Sequence, residues 1–278
     1  MTKSFLLLCL ILLASCATKE EQAVDYMNYH QEIQKAEEFI ANEDYQEALV
    51  IYTSLSEEYD FVFKRDRETA KQLAVKLKQE APIFPEQAID SSLREEIEGM
   101  IAEDQRLAKV VAFMEDESEQ EAFLLDSFAP HSERQVRKLI EILKRHPYPG
   151  EKAIGNDFWV STIVSHHNSI SVEQVKNDTL FDFLKPRFKE AIKKGEMSPY
   201  ELALMEDWRI AVLTEGTYSG YGYLNGPIKD SIARINAKRK AVGLRPVELR
   251  NRLVDIVQKT GMDFQLPDWV EGKIEIRE

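Results

Sequence analysis

The chain has 278 residues, and its 44% hydrophobic content is ordinary for a globular protein, so a real core is expected in one large domain or two smaller ones. Its 49 acidic against 36 basic residues give a formal net charge of −13, which repels phosphate backbones and argues against nucleic acid as a partner. Cys9 and Cys16 both lie near the N-terminus, so the body of the chain has no disulfide, no thiolate nucleophile and no cysteine metal ligand.

The chain starts like an export leader: Lys3, an apolar run over residues 5–13, then the small Ala14 and Ser15. The run is too short to span a bilayer, which takes about 20 apolar residues. Leu13-Ala14-Ser15-Cys16 resembles the lipobox of bacterial lipoproteins. That resemblance implies a signal peptide over residues 1–15, removed after acyl chains are placed on Cys16, which then anchors the protein to a membrane. Each buried lipid methylene contributes about 0.8 kcal/mol, so several chains hold a soluble domain firmly. A plain leader cut near Ala17 is the other reading. After Cys16 there is no aspartate of the kind that retains some lipoproteins at the inner membrane, and Lys19-Glu20-Glu21 resembles a surface-export signal. The expected location is therefore the outer membrane, with the cell surface as destination.

Residues 16–25 read as a polar tether. From residue 26 the pattern turns helical: Ile33, Ala36, Phe39 and Ile40 form one stripe, Tyr45, Ala48, Leu49, Tyr52 and Leu55 another, with Asn42-Glu43-Asp44 as the turn between them. This hairpin resembles one tetratricopeptide repeat, and a poorer second unit is expected over residues 60–80. One hairpin cannot bury its face alone. Residues 26–81 are therefore expected to form a helical arm packed on its neighbour, with peptide binding as the other use of such a surface.

Pro82 and Pro85 mark a boundary. Over residues 86–265 a helical domain is expected, with helices at 91–114, at 132–145 behind Ser132 as N-cap, at 157–165 and at 179–194. Residues 208–213 and 217–223 are rich in β-formers and flank Glu215-Gly216, which predicts a small β-hairpin. Helices follow at 228–242, stopped by Gly243, and at 248–260; residues 266–278 read as a tail. The fold class is mainly α with one β-hairpin.

From residue 104 to about 260, the stretches "RHPYPGEKAIG", "IVSHHN", "LKPRFKEAIKKGEMS", "LALMEDWRIAV", "GYGYL" and "INAKRKAVGLRPV" are similar, in order, to the uncharacterised bacterial domain of unknown function 6624. The resemblance implies a fold but no activity, since none is established for that family. It also marks four polar positions: Asp104, Gln105, His166 and Asp207. This chain departs from the family pattern at Ser165, Asn168, Trp208, Tyr223 and Leu224, where polar partners are lost.

A histidine beside a carboxylate is suited to general-base chemistry, because its pKa lies near neutrality and the carboxylate orients its ring. On that reading His166 takes a proton, Asp207 orients it, and Asp104 and Gln105 complete the site; the other reading is a polar network that fixes helix packing. Adjacent His166 and His167 point about 100° apart on a helix, so no metal site is expected. Gly220-x-Gly222 lacks a surrounding βαβ unit, and no nucleotide or other cofactor is expected. Tyr218, Tyr221 and Tyr223 offer a binding platform for a sugar or peptide, or else pack the hairpin on the helices. The basic runs at 185–194 and 234–240 read as solvated faces. Together these features suggest a binding or scaffolding lipoprotein with an envelope protein, peptide or glycan as partner. The alternative is a hydrolase-like enzyme using His166 and Asp207.

Overall fold

The computed structural model describes residues 25–264, 270 and 272–278; the expected leader, lipobox and tether, as far as residue 24, lie outside them. The fold is mainly α. Asp25 opens α1 (Tyr26–Ala41) by accepting from the Met27 N–H. Glu43, at φ +66°, turns the chain into α2 (Tyr45–Glu58), and the fully buried Ala36 and Ala48 let the two helices approach closely.

The second repeat unit does not form. Residues 59–63 run without helix and bury Tyr59, Phe61, Val62 and Phe63, and a single helix, α3 (Lys64–Leu77), follows on α2. Four large side chains within five residues, three of them consecutive, that must all be buried suit an extended segment better than one stripe of a helix. The three helices share their core with Leu253 and Ile256 from α13 (Val247–Thr260), which packs against α1. The apolar face that a lone hairpin would expose is thus covered from the far end of the chain.

The larger core is built around α8 (Trp159–His167), which touches α4 (Ser91–Ala112), α6 (Ala129–Leu143) and α11 (Pro199–Leu213). Short α5 (Glu117–Phe123) runs through a π-helical turn, Leu124–Phe128, directly into α6. Ser132 is therefore inside a helix and not its cap. The remaining elements are α7 (Glu151–Ile154), α9 (Val172–Asn177), α10 (Leu180–Lys193) and α12 (Ile232–Ala241), the last entered through a 3₁₀ turn at Lys229–Ser231.

The expected β-hairpin is absent among the described residues. Trp208 to Leu213 continue α11, which Pro199 starts and which the Glu201 carboxylate ties back to the Ser198 N–H at 3.1 Å. Every residue from Pro199 to Asp207 is buried, which fixes the helix before the half-buried β-formers extend it by further turns, and extending a formed helix costs them little. Glu215 and Gly216, both at positive φ, are the helix's exit, with the Gly216 N–H on the Ala211 carbonyl. The same Gly signal serves a hairpin turn and a helix end, and burial decided between them. A single β-bridge joins Ile228 to Arg277.

The C-terminal residues do not hang free. The Asn251 amide donates to the Ile274 carbonyl and accepts from its N–H, Ile274 is buried in the larger core, and the Arg277 N–H reaches the Pro227 carbonyl. No described helix is long and apolar enough to cross a membrane.

Candidate functional site

The four polar positions divide into two places. Asp104, wholly buried on α4, meets His166 at the end of α8, with Oδ2 2.7 Å from Nδ1. The Phe128 ring stands edge-on, 6.0 Å from the imidazole. Asp104 Oδ1 is buried without a partner among the described residues. Gln105 is one residue on and makes no hydrogen bond among the described residues, since neighbouring helix positions point apart.

Asp207 does not join this pair. Its two oxygens accept the Tyr221 N–H at 2.7 Å and the Tyr223 N–H at 2.8 Å, which folds the glycine-rich loop over α11. Burial pushes its carboxyl up, against the pull of those N–H groups and of Lys238. A Cβ on Gly220 would stand 2.5 Å from Asp207 Oδ1, so the loop approaches closely only because that residue is glycine. The expected His166–Asp207 acid–base pair is therefore not formed: a carboxylate surrounded by buried amides is taken by them first.

The tyrosine platform is also corrected. Tyr221 and Tyr223 are buried; Arg239 donates to the Tyr221 carbonyl at 2.6 Å and to the Tyr223 hydroxyl at 3.1 Å. Tyr218 is half-buried beneath the Arg234 guanidinium, with its hydroxyl enclosed. Arg239 itself is fully buried, so the basic run at 234–240 is not simply a solvated face. The loop's carbonyls and hydroxyls draw one arginine inward.

His167 turns away from His166. Its Nδ1 lies 3.1 Å from Ser132 Oγ and its Nε2 3.1 Å from Asp178 Oδ1, while Arg209 donates to Asp178 Oδ2 at 3.1 Å. Burial pushes the Asp178 carboxyl up, yet His167 and the Leu180 and Phe181 N–H groups outweigh it and hold the group below the usual carboxylate range. The order Ser-His-Asp is that of a nucleophile relay, but Ser132 is wholly buried on α6. Access to the oxygen is missing, and the three residues brace α6, α8 and the turn before α10.

An unexpected cleft lies between α8 and α11. Phe158, Ser161, Thr162 and Ser165 line one wall at helical spacing, and Glu201, Leu204 and Trp208 line the other, around a cavity of about 280 Å³ with Asp157 and Tyr200 at its ends. Tyr148 donates to Glu201 at 2.6 Å, and burial pushes that carboxyl well up, against the Tyr148 hydroxyl and the Ser198 N–H.

Tyr200 also borders a smaller cavity of about 30 Å³, where α1 meets the larger core. That is room for about two waters, at 10–15 Å³ each. Here the Tyr200 hydroxyl, His30 Nε2 and Glu37 Oε2 are buried without partners among the described residues. Arg245 pairs with Glu37 at 2.6 Å and Arg65 with Asp66 at 2.9 Å, and the two guanidinium groups stand 5.5 and 5.1 Å from the Tyr200 ring. Burial pushes His30 down to about 3 and Glu37 up, the latter against Arg245. Burial also lifts Glu151 to about 7, although the Lys64 N–H and Arg67 oppose it.

No family model, curated protein or solved structure matches this chain. The cleft was not anticipated from the sequence. The signal that marks it is the hydroxyl stripe Ser161, Thr162 and Ser165 in an otherwise apolar helix, and it gains meaning only when Trp208 stands opposite. Among the described residues no group of three or more His, Asp or Glu side chains is placed to hold a metal.

Proposed function

We propose that the protein is a lipid-anchored binding module of the bacterial envelope, tethered through Cys16, which holds its ligand in the cleft between α8 and α11. The observation that carries this reading is the mismatch in the cleft: a cavity with aromatic and apolar walls in which the Ser165 and Thr162 hydroxyls and the Trp208 indole N–H have no partner among the described residues. Buried polar groups are ordinarily satisfied, and a few unmatched ones converging on an apolar pocket are the usual form of a ligand site. The anchor part rests on the lipobox resemblance. A Cys16→Ala variant that leaves the membrane fraction, while the wild type stays in it and incorporates labelled palmitate, would test the anchor. Cleft binding is tested by titrating envelope extracts fractionated by size against the indole fluorescence of the wild type and of Trp208→Ala; a response that survives the substitution would sink it.

A second reading rests on the His166–Asp104 hydrogen bond. A buried carboxylate orienting a partly exposed imidazole has acid–base geometry. Hydrolysis of a chromogenic ester panel that is lost in His166→Ala and retained in Trp208→Ala would establish it, and absence of any such hydrolysis by the wild type would remove it.

A further inference from the structure

We infer that the ligand of the α8–α11 cleft is a neutral sugar ring; the inference rests on the cleft being a binding site. Four polar groups border the cavity without a hydrogen-bond partner among the described residues: Ser165 Oγ, Thr162 Oγ1, the Trp208 indole N–H and, at the exposed rim, the Asp157 carboxylate. Ser165 is 6% exposed, so its hydroxyl is largely withdrawn from bulk water. Between these groups stand the Trp208 and Phe158 rings, Phe158 being 56% exposed.

This mixture selects a ligand chemistry. An anion is disfavoured, because no lysine or arginine lines the cavity while Asp157 does. The nearby Arg65 and Arg245 are turned to Asp66 and Glu37 behind Tyr200. A quaternary or primary ammonium would suit the aromatic rings and Asp157, but it has no acceptor, and the indole N–H is only a donor. A purely apolar ligand would leave the Ser165 and Thr162 hydroxyls and the Trp208 N–H dry. A pyranose satisfies each demand: its C–H face lies on an aromatic ring, and its hydroxyls both donate and accept around the rim. At about 280 Å³ the cavity has the size of a single ring and is below the range of larger ligand pockets. Glu201 is already engaged, one oxygen accepting from the Tyr148 hydroxyl and the other from the Ser198 N–H.

The test uses the full chain in a sugar-free zwitterionic detergent. Glucose, N-acetylglucosamine and chitobiose are titrated by saturation-transfer NMR and indole fluorescence, with tetramethylammonium and inorganic phosphate beside them. At least one sugar is expected to bind, with affinity weakened tenfold or more in Trp208→Ala, and measurably in Ser165→Ala and Asp157→Asn. Trp208→Phe keeps an aromatic face and removes only the N–H, so an intermediate loss from a variant with an unchanged melting curve separates recognition from misfolding. Sugar binding that is indifferent to all four substitutions overturns the inference. Tetramethylammonium or phosphate binding that depends on Trp208, without sugar binding, overturns the sugar and keeps the cleft. No response to any probe overturns the sugar and counts against the cleft.

Discussion

The two ends of α11 carry buried polar groups in opposite conditions. Toward its C-terminal end, Asp207 accepts two backbone N–H groups from the loop it holds, and Arg239 donates to a carbonyl and a hydroxyl of the same loop. Toward its N-terminal end, the Tyr200 hydroxyl has no partner, and the cavities beside it hold unmatched groups from α1 and α8. A matched network spends its hydrogen bonds on holding the fold, whereas an unmatched one has bonds left for something else. Asp207 drew notice from the sequence as a catalytic candidate, yet its partners show it to be a fastening.

The contrast can be broken most forcefully at the fastenings. Asp207→Ala leaves two buried N–H groups without an acceptor, and about 3–5 kcal/mol of stability is expected to be lost at 1–3 kcal/mol for each such group with its packing; urea unfolding measures this, and a loss under about 1 kcal/mol would mean that the loop is not held by Asp207. Comparable in size is the seam between α1 and the turn before α13. Arg245→Met strands the buried Glu37 carboxylate and should cost about 3–5 kcal/mol, while the double variant Glu37→Leu with Arg245→Met should recover most of it. If the double variant is no better than the single one, the pair is not an isolated couple.

A smaller effect, readable by pH, sharpens the comparison at the seam. Glu151 keeps its proton to about pH 7 when folded but loses it near 4.5 when unfolded, so its contribution falls as pH rises from about 4.5 to 7. His30 works the other way: folded it stays neutral down to about 3, and unfolded it binds a proton from 6.5, so stability is lost as pH drops below 6.5. At 1.36 kcal/mol for each unit the Glu151 effect reaches about 3 kcal/mol at most. Melting temperature against pH should therefore lose its decline toward pH 7 in Glu151→Gln and its acid-side decline in His30→Gln. Identical profiles for all three proteins would contradict these environments.

The smallest stability change is expected in the cleft. Trp208→Ala removes a half-buried ring from a wall that faces a cavity, and about 1–2 kcal/mol is expected by the area lost from contact. A melting curve close to wild type, beside a lost ligand response, is the pattern of a residue spent on binding. A collapse of the fold would place Trp208 with the fastenings.

Much of the helical order was legible in the chain. Periodicity located α1, α2, α4, α10 and α13, and Gly243 and Gly261 stop helices from the positive-φ conformation that glycine adopts freely. The hydrophobic stripes and the Asn42-Glu43-Asp44 turn are local facts, set by backbone sterics and by which side chains avoid water. What failed were the inferences whose outcome depended on which distant partner was met. Trp208 to Leu213 carry β-forming residues, but they continue a helix already fixed by the burial of Pro199 to Asp207, a property of the helices around it that outweighs local propensity. His166 found Asp104 and not Asp207, because α4 and the glycine loop reached the two groups first.

The same division holds for the site. By itself the sequence determined a mainly helical chain, and the leader-like and lipobox-like patterns are likewise written in contiguous residues. Only the tertiary structure set Trp208 across from Ser165 and Thr162, and Arg245 on Glu37 across most of the chain's length. Helix formation is decided within a few residues by hydrogen bonds along the backbone, but a cavity and its unmatched groups exist only where separate helices meet.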